Sequence, residues 1–211
     1  MSHDHDDFAI EALPGLPSLP PKGEEILWQG RPATLALARE ALGLTWVAVY
    51  FVGLALWRAT AVSDGTAASF LAVMLPYLVL GALTCGILVL IATVQARSTV
   101  YTITTSRVAM RVGAALTVTL NLPFTQIGSA SLDLKRSGTG TVALQTLGDA
   151  RLSYLVCWPH VRPWRVGKTQ PALRCIPDAA RVARLLAEAA ETRLNTPVLT
   201  RAAPGMAIAA E

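Results

Sequence analysis

The sequence predicts an α+β membrane protein, in which a hairpin of two transmembrane helices precedes a seven-stranded antiparallel β-barrel or sandwich capped by a C-terminal helix. Three observations support this fold class. Two long uncharged stretches lie close together, apolar and polar residues alternate after them, and an amphipathic helical pattern follows. We divide the chain into a flexible N-terminal arm (1–22), a cytoplasmic pre-membrane segment (23–40), the hairpin (41–96), a cytoplasmic β-rich domain (97–194) and a flexible tail (195–211).

The two uncharged stretches predict the hairpin. Ala41–Trp57 has 17 residues and Gly65–Ala96 has 32, with Arg58 and Asp64 as the charges between them. A helix needs about 20 apolar residues to cross a bilayer core about 30 Å thick. The first stretch reaches that length if Arg58 extends towards the membrane surface, and the second exceeds it. Pro76 predicts a bend in the second helix, but dividing that helix there leaves too few residues for a third crossing.

The distribution of positive charge predicts how the hairpin is oriented. Of the 18 Lys and Arg residues, 14 lie from Arg97 onward, and Arg58 alone lies between the two stretches. The positive-inside rule then places both termini in the cytoplasm of a multi-pass protein. Residues 1–25 do not have the pattern of a signal peptide, so we expect the first helix to act as its own insertion signal.

Short strand patterns follow Arg97. Seven segments have the alternation and the residue types of strands: Ser98–Thr105, Val108–Val112, Leu116–Leu122, Ile127–Leu134, Thr141–Gln145, Leu152–Trp158 and Ala172–Ile176. Short strands at this spacing predict an antiparallel sandwich or barrel. From Pro177 to about Leu194 the pattern becomes that of an amphipathic helix, with Val182, Leu186 and Ala189 on one face. Seven strands and one capping helix correspond to the plan of a pleckstrin-homology-like (PH-like) barrel.

We find no catalytic or cofactor-binding motif in the sequence. The two uncharged stretches contain no His, Asp, Glu or Lys, so we expect neither transport nor a pigment held by imidazole. The β-rich domain has a single histidine, His160, and neither a nucleophile elbow nor a phosphate-binding loop. The acidic and histidine-rich run His3–Asp7 has the composition of a metal site, but a flexible arm offers no fixed geometry. We therefore predict no enzyme, no catalytic residue, no cofactor and no metal site.

The cysteines and the small residues of the second helix carry weaker signals. Cys85, Cys157 and Cys175 show no CxxC spacing and are expected to be buried free thiols. Within the second helix, Gly81 with Cys85 and Ala82 with Gly86 have the spacing that allows two helices to approach closely. This spacing leaves a homo-oligomer open.

Several segments resemble known families. Tyr101–Gly113 (YTITTSRVAMRVG) is similar to the opening of bacterial PH-like domains, which often follow a membrane hairpin. Gly23–Pro32 (GEEILWQGRP), Ser137–Val142 (SGTGTV) and above all Trp158–Leu186 resemble the photosynthetic-complex assembly proteins of purple bacteria. The resemblance implies a non-enzymatic, self-associating assembly factor in the bacterial cytoplasmic (intracytoplasmic) membrane. Its implied partners are reaction-centre subunits or the light-harvesting core complex.

The stretch from Trp158 to Ile176 is the candidate site. Cations alternate there with tryptophans and prolines, and Arg and Trp are the residue types that dominate binding hot spots. The predicted partner-binding residues are Trp158, His160, Arg162, Trp164, Arg165, Lys168 and Arg174. The same residues also fit contact with anionic lipid of the inner leaflet, or a structural role with tryptophans in the core.

Two functions therefore remain open. In the first, the chain docks a membrane-protein partner through its cytoplasmic domain. In the alternative, it is a membrane-anchored lipid-binding or scaffold module with no dedicated protein partner. Nucleic acid is not an expected partner, because the basic domain lies against a membrane whose inner leaflet is itself anionic.

Overall fold

The structure is a computed structural model, and it describes residue 16 and residues 20–21, 23–113, 117–148, 152–165 and 167–195. Its elements are β1 (Ile26–Gly30), α1 (Thr34–Glu40), α2 (Leu44–Val62), α3 (Ala67–Ser98), β2 (Val100–Thr104), β3 (Arg107–Val112), β4 (Val118–Pro123), β5 (Ile127–Leu134), β6 (Gly140–Thr146), α4 (Tyr154–Cys157), β7 (Ala172–Ile176) and α5 (Ala179–Asn195). A 3-10 turn over Phe124–Gln126 joins β4 to β5. The predictions for the His3–Asp7 run, for the first residue of the Leu116–Leu122 strand and for the C-terminal tail from residue 196 concern residues outside the described ranges.

The helices α2 and α3 form the predicted hairpin. Both are long and apolar enough to cross a membrane, and α3 is one helix of 32 residues that contains Pro76. The Nε of Arg58 donates a hydrogen bond to the Tyr77 Oη at 3.3 Å, which ties the charged end of α2 to α3. Gly81 allows the two helices to approach closely, because an added Cβ there would lie 2.6 Å from the Phe51 Cβ.

The seven strands form two antiparallel sheets. One has the order β1-β2-β3-β4 and the other has the order β5-β6-β7. Apolar side chains from both sheets share a core with α5, among them Tyr101, Met110, Leu144, Leu173 and Leu186. The described strands do not join into a closed barrel, so the barrel in our prediction is wrong. Two packed sheets with a C-terminal helix remain.

The first strand lies before the hairpin, in the segment that sequence reasoning placed outside the β-rich domain. Trp28 of β1 pairs with Ile103 of β2, and its ring packs against the shared core. The sheet therefore begins before the membrane-length helices and resumes after them. The two ends of the hairpin are held together by this pairing.

The predicted strand Leu152–Trp158 is wrong, because this segment contains the helical turn α4. The central strand β6 is already paired with β5 on one side and with β7 on the other. A segment between β6 and β7 therefore finds no open position beside β6. Because no strand is available to pair with it, the segment does not form a strand although its residue types favour one.

Helix α1 links the hairpin to the second sheet. Leu37 is fully buried and packs with Ala96 near the end of α3 and with Cys175 of β7. The backbone N–H of Ala33 donates to the Cys175 carbonyl at 2.8 Å. The base of the hairpin is thus enclosed by α1 and β7, next to the candidate site.

Candidate partner-binding site

The predicted site is a loop between α4 and β7 that has a buried base and an exposed tip. An antiparallel bridge between Val161 and Pro171 closes the base. The Arg162 N–H adds a hydrogen bond to the Gln170 carbonyl at 2.9 Å. We call His160 and Arg174 the anchor and residues 163–168 the tip; the structure describes the tip except for residue 166.

His160 anchors the loop to α3 and β2. Its Nδ1 lies 2.6 Å from the Tyr101 Oη, and its Nε2 lies 3.0 Å from the Oγ1 of Thr99, the residue that caps α3. The Arg174 N–H donates to the Tyr101 Oη at 3.2 Å, so the tyrosine proton points to Nδ1. This network assigns the proton of the neutral imidazole to Nε2, which donates to Thr99.

The electrostatics of the anchor agree with a neutral histidine. Burial, with a smaller contribution from the positive charge of Arg174, lowers the pKa of His160 to about 4. Burial also raises the pKa of Tyr101 above its ordinary value. Both ring nitrogens of His160 are engaged and only 1% of the residue is exposed. The geometry therefore supports positioning by His160, not proton transfer to a ligand.

Arg174 joins three segments of backbone. Its Nη1 donates to the Pro159 carbonyl at 3.1 Å, and its Nη2 donates to the carbonyl of Glu40 at 3.0 Å. Glu40 is the last residue of α1, and carbonyls at a helix C-terminus attract cations. Arg174 is 5% exposed. Through it, β7 fixes both the loop and α1.

The tip presents an aromatic side chain and two cations. Trp164 is 94% exposed and its backbone φ is 63°, in the left-handed region that bulky residues rarely adopt. Arg165 and Lys168 are exposed beside it in the sequence. An exposed Trp in a strained backbone conformation gains nothing from core packing, so core packing does not explain its placement.

The seven predicted residues thus separate into two groups. Trp158, Trp164, Arg165 and Lys168 are exposed, and Arg162 is half-buried near the base. His160 and Arg174 are internal and hold the base of the loop, while their contact with a partner stays a prediction. Both ring nitrogens of His160 and the Nη1 and Nη2 of Arg174 have partners in neighbouring backbone or side chains. The buried Nε of Arg174 has none within the part of the chain that the structure describes.

Sequence reasoning missed the partners of the anchor and part of its exposed surroundings. Thr99 and Tyr101 belong to a strand pattern, and nothing in that pattern shows that their hydroxyls meet a histidine about 60 residues later. Leu155 and Val156 of α4 are 84% and 55% exposed. Their exposure is visible only once the segment is known to be a helical turn and not a strand.

The cysteines are free thiols. Cys157 and Cys175 are buried as predicted, whereas Cys85 is half-buried. Burial, followed by the nearby Glu40, raises the pKa of Cys175 to about 12, and burial raises the pKa of Cys157. A protonated, inaccessible thiol is a poor nucleophile. Within the described ranges, no group of three or more His, Cys, Asp or Glu side chains is arranged to hold a metal ion.

Comparison with known proteins adds two findings. The profile described as "Bacterial PH domain" matches residues 35–190, a range that includes both membrane-length helices. A protein of Rhodobacter capsulatus, described as an uncharacterized 23.7 kDa protein in the puhA 5' region, is 46% identical over 202 residues, which cover 94% of each chain. No solved structure matches the chain significantly.

Proposed function

This chain belongs to the bacterial PH domain family, and we propose that it is a non-enzymatic assembly factor for the photosynthetic reaction centre and its light-harvesting core complex. In this proposal the hairpin crosses the bacterial cytoplasmic (intracytoplasmic) membrane and both termini lie in the cytoplasm. The PH-like domain docks a membrane-protein partner there, either a reaction-centre subunit or the light-harvesting core complex. This role is that of PuhB-type assembly proteins.

Two observations support the photosynthetic setting. The segments Gly23–Pro32 and Trp158–Leu186 resemble photosynthetic-complex assembly proteins. The relative from Rhodobacter capsulatus is encoded beside puhA, a reaction-centre gene. Genes that act on one complex are often neighbours in bacteria, so the location is compatible with a role in photosynthesis.

The exposure of Trp164 is the observation that carries docking by the tip. A Trp side chain that is 94% exposed leaves a large apolar surface in solvent, and the adjacent Arg165 and Lys168 add charge. The anchor holds the base of the loop through His160 and Arg174. A tip on a fixed base loses little conformational entropy when it docks, which is typical of an interface hot spot.

The variants Trp164→Ala and Arg165→Ala test this proposal. Either change should weaken partner binding by on the order of 2 kcal/mol, about thirtyfold in affinity, while membrane abundance and melting temperature stay unchanged. The readouts are co-purification of reaction-centre polypeptides with the tagged protein and the yield of reaction centres. Trp28→Ala is the matched control, because that half-buried ring packs against the core and its loss should lower stability by about 1 to 3 kcal/mol.

A second candidate function rests on α4. Leu155 and Val156 are exposed apolar side chains that precede the half-exposed Trp158 and the cations of the tip. Such a surface also suits the headgroup region of an anionic membrane, as in a lipid-binding module with no dedicated partner. If the tagged protein carries no reaction-centre polypeptide from native membranes, and Trp164→Ala leaves reaction-centre yield intact, the assembly proposal fails and this reading replaces it.

A further inference from the structure

The sheet β5-β6-β7 is incompletely covered along β5. Ala130 and Leu132 lie directly opposite Leu144 and Val142 of β6, so all four side chains point to the same face of the sheet. Leu144 and Val142 are buried in the core. Leu132, in contrast, is 42% exposed, and Ala130 is exposed as well. The core face of β5 is therefore open to solvent.

A groove of about 420 Å³ runs along this open face, between β5 and α5. Its floor includes Phe124, Val142 and Leu186, which are core residues, and its helix wall includes Ala187 and Glu191. The groove is mostly apolar and is large enough for side chains of a ligand. It shares no residue with the tip of the 158–174 loop.

The edge of β5 has unpaired backbone groups. Among the seven named strands β5 pairs with β6 alone, and it is the outer strand of its sheet. Between Ser129 and Leu134 it is paired with β6 in regular register and contains neither proline nor lysine. Its one charged residue, Asp133, forms an ion pair with Lys135, so few of the features that usually protect an exposed edge are present. A row of free N–H and C=O groups selects a ligand with an extended backbone.

We propose that the groove between β5 and α5 binds an extended segment of a partner polypeptide. The segment adds as a strand to the free edge of β5 and inserts apolar side chains, at alternate positions, into the groove. Glu191 is the charged residue in the groove wall, and it has no ion-pair partner among the described residues. Charge complementarity therefore favours a segment with a basic residue beside Glu191. This site goes beyond the proposed docking by the tip and does not depend on it.

The test uses the full-length protein in nanodiscs and a fluorescein-labelled synthetic peptide of 8 residues, the length of β5. The peptide alternates valine with threonine and ends in lysine at both termini; a second peptide ends in glutamate. Fluorescence anisotropy should show that the lysine peptide binds more tightly, by about threefold to tenfold. Replacing Glu191 by Lys should reverse this preference. An unchanged preference in Glu191→Lys would overturn the charge assignment and, with it, the proposed occupant.

Two variants separate binding in the groove from binding elsewhere. Ala187→Phe places a ring in the groove from an exposed helix position and should weaken binding at least about tenfold. Arg181→Phe adds the same ring to α5 outside the groove and should leave affinity within about twofold. Equal binding to the wild type and to Ala187→Phe, with normal melting of both, would refute the site.

Backbone pairing has its own control. Peptides N-methylated at alternate residues lose the donors on one edge, so one of the two methylation registers should abolish binding. Binding that survives both registers would contradict strand addition. If the peptide binds only after residues 196–211 are removed, the occupant of the groove is the chain's own C-terminal segment and not a partner polypeptide. If the protein is a dimer without peptide and Ala187→Phe dissociates that dimer, the occupant of the groove is a second copy of this chain and not a partner polypeptide. None of these outcomes depends on the tip, whose variants test the assembly function separately.

Discussion

His160 and Arg174 connect parts of the chain that are far apart in sequence. His160 links the end of α3 to β2, and Arg174 links β7 to the last turn of α1. Residue types that are common at protein interfaces are here used to hold elements together. Composition indicates that such a segment is unusual, but it does not distinguish an anchor from a contact surface. Burial makes that distinction, and burial depends on the tertiary fold.

The neutral His160 makes stability depend on pH. The buried imidazole has its pKa lowered to about 4 from the ordinary 6.5, so the unfolded chain binds a proton between these values and the folded chain does not. Stability is therefore fully present above pH 6.5 and declines as the pH falls towards 4, by about 3 kcal/mol for this group alone. Thermal unfolding of the purified protein in detergent should show this decline.

The variant His160→Gln isolates the contribution of the imidazole. Glutamine retains a donor near Thr99 but does not titrate, so the difference in melting temperature between the wild type and the variant should shrink as the pH is lowered from 7 to 4.5. The variant should also lose about 1 to 3 kcal/mol at neutral pH, because one buried polar partner is left unpaired. A pH-independent difference would show that His160 is not the titrating group.

Among the helices and strands, the sequence correctly predicts those whose pattern lies within one short segment. The strands β5 and β7 begin and end where the pattern places them, because alternation over a short segment is visible in the segment itself. Strand β1 was missed, since GEEILWQG has three consecutive apolar residues and no alternation. Its partner, β2, lies beyond the hairpin. The strand predicted over Leu152–Trp158 is wrong for the opposite reason. The segment has strand propensity, but both sides of β6 are already paired and offer it no position in the sheet.

The hairpin gives a prediction at the level of helix packing. Gly81→Leu would place a side chain where the Phe51 Cβ already lies, so α2 and α3 must separate and stability should fall by about 1 to 3 kcal/mol. Gly86→Leu is the matched control, because an added Cβ there meets no atom within 4 Å. Thermal melting in detergent compares the two variants. Equal melting temperatures would contradict close packing of the helices at Gly81.

At the scale of the whole molecule, the insertion of the hairpin into a sheet fixes how its two ends are related. The 19 residues of α2 are about 28 Å long and the 32 residues of α3 about 48 Å. The surplus of α3 extends towards the sheets, where α1 packs against Ala96. The anchor then attaches the end of α3 to the loop through Thr99. The loop that carries the tip is thus connected to the hairpin by hydrogen bonds and not by a flexible linker.

The orientation of the whole molecule follows from the pairing of β1 with β2. Because these strands flank the hairpin and share a sheet, both flanks must lie on the same side of any membrane that α2 and α3 cross. The excess of Lys and Arg after residue 96 favours the cytoplasmic side. Ser63, between the helices, should then face the periplasm. In intact cells a membrane-impermeant maleimide should label Ser63→Cys, whereas Glu25→Cys and Ser137→Cys should react only after lysis.

The control for this experiment is the wild-type chain, whose Cys157 and Cys175 are buried and whose Cys85 is half-buried. Its labelling defines the background. Glu25 and Ser137 are exposed positions on the two sides of the hairpin in sequence, so a failure of their cysteine variants to react before lysis reports location and not burial. Labelling of Glu25→Cys together with Ser63→Cys in intact cells would show that α2 does not cross the membrane. Because α2 and α3 would then expose most of their apolar surface to water, the proposal of a membrane-anchored assembly factor would fail with it.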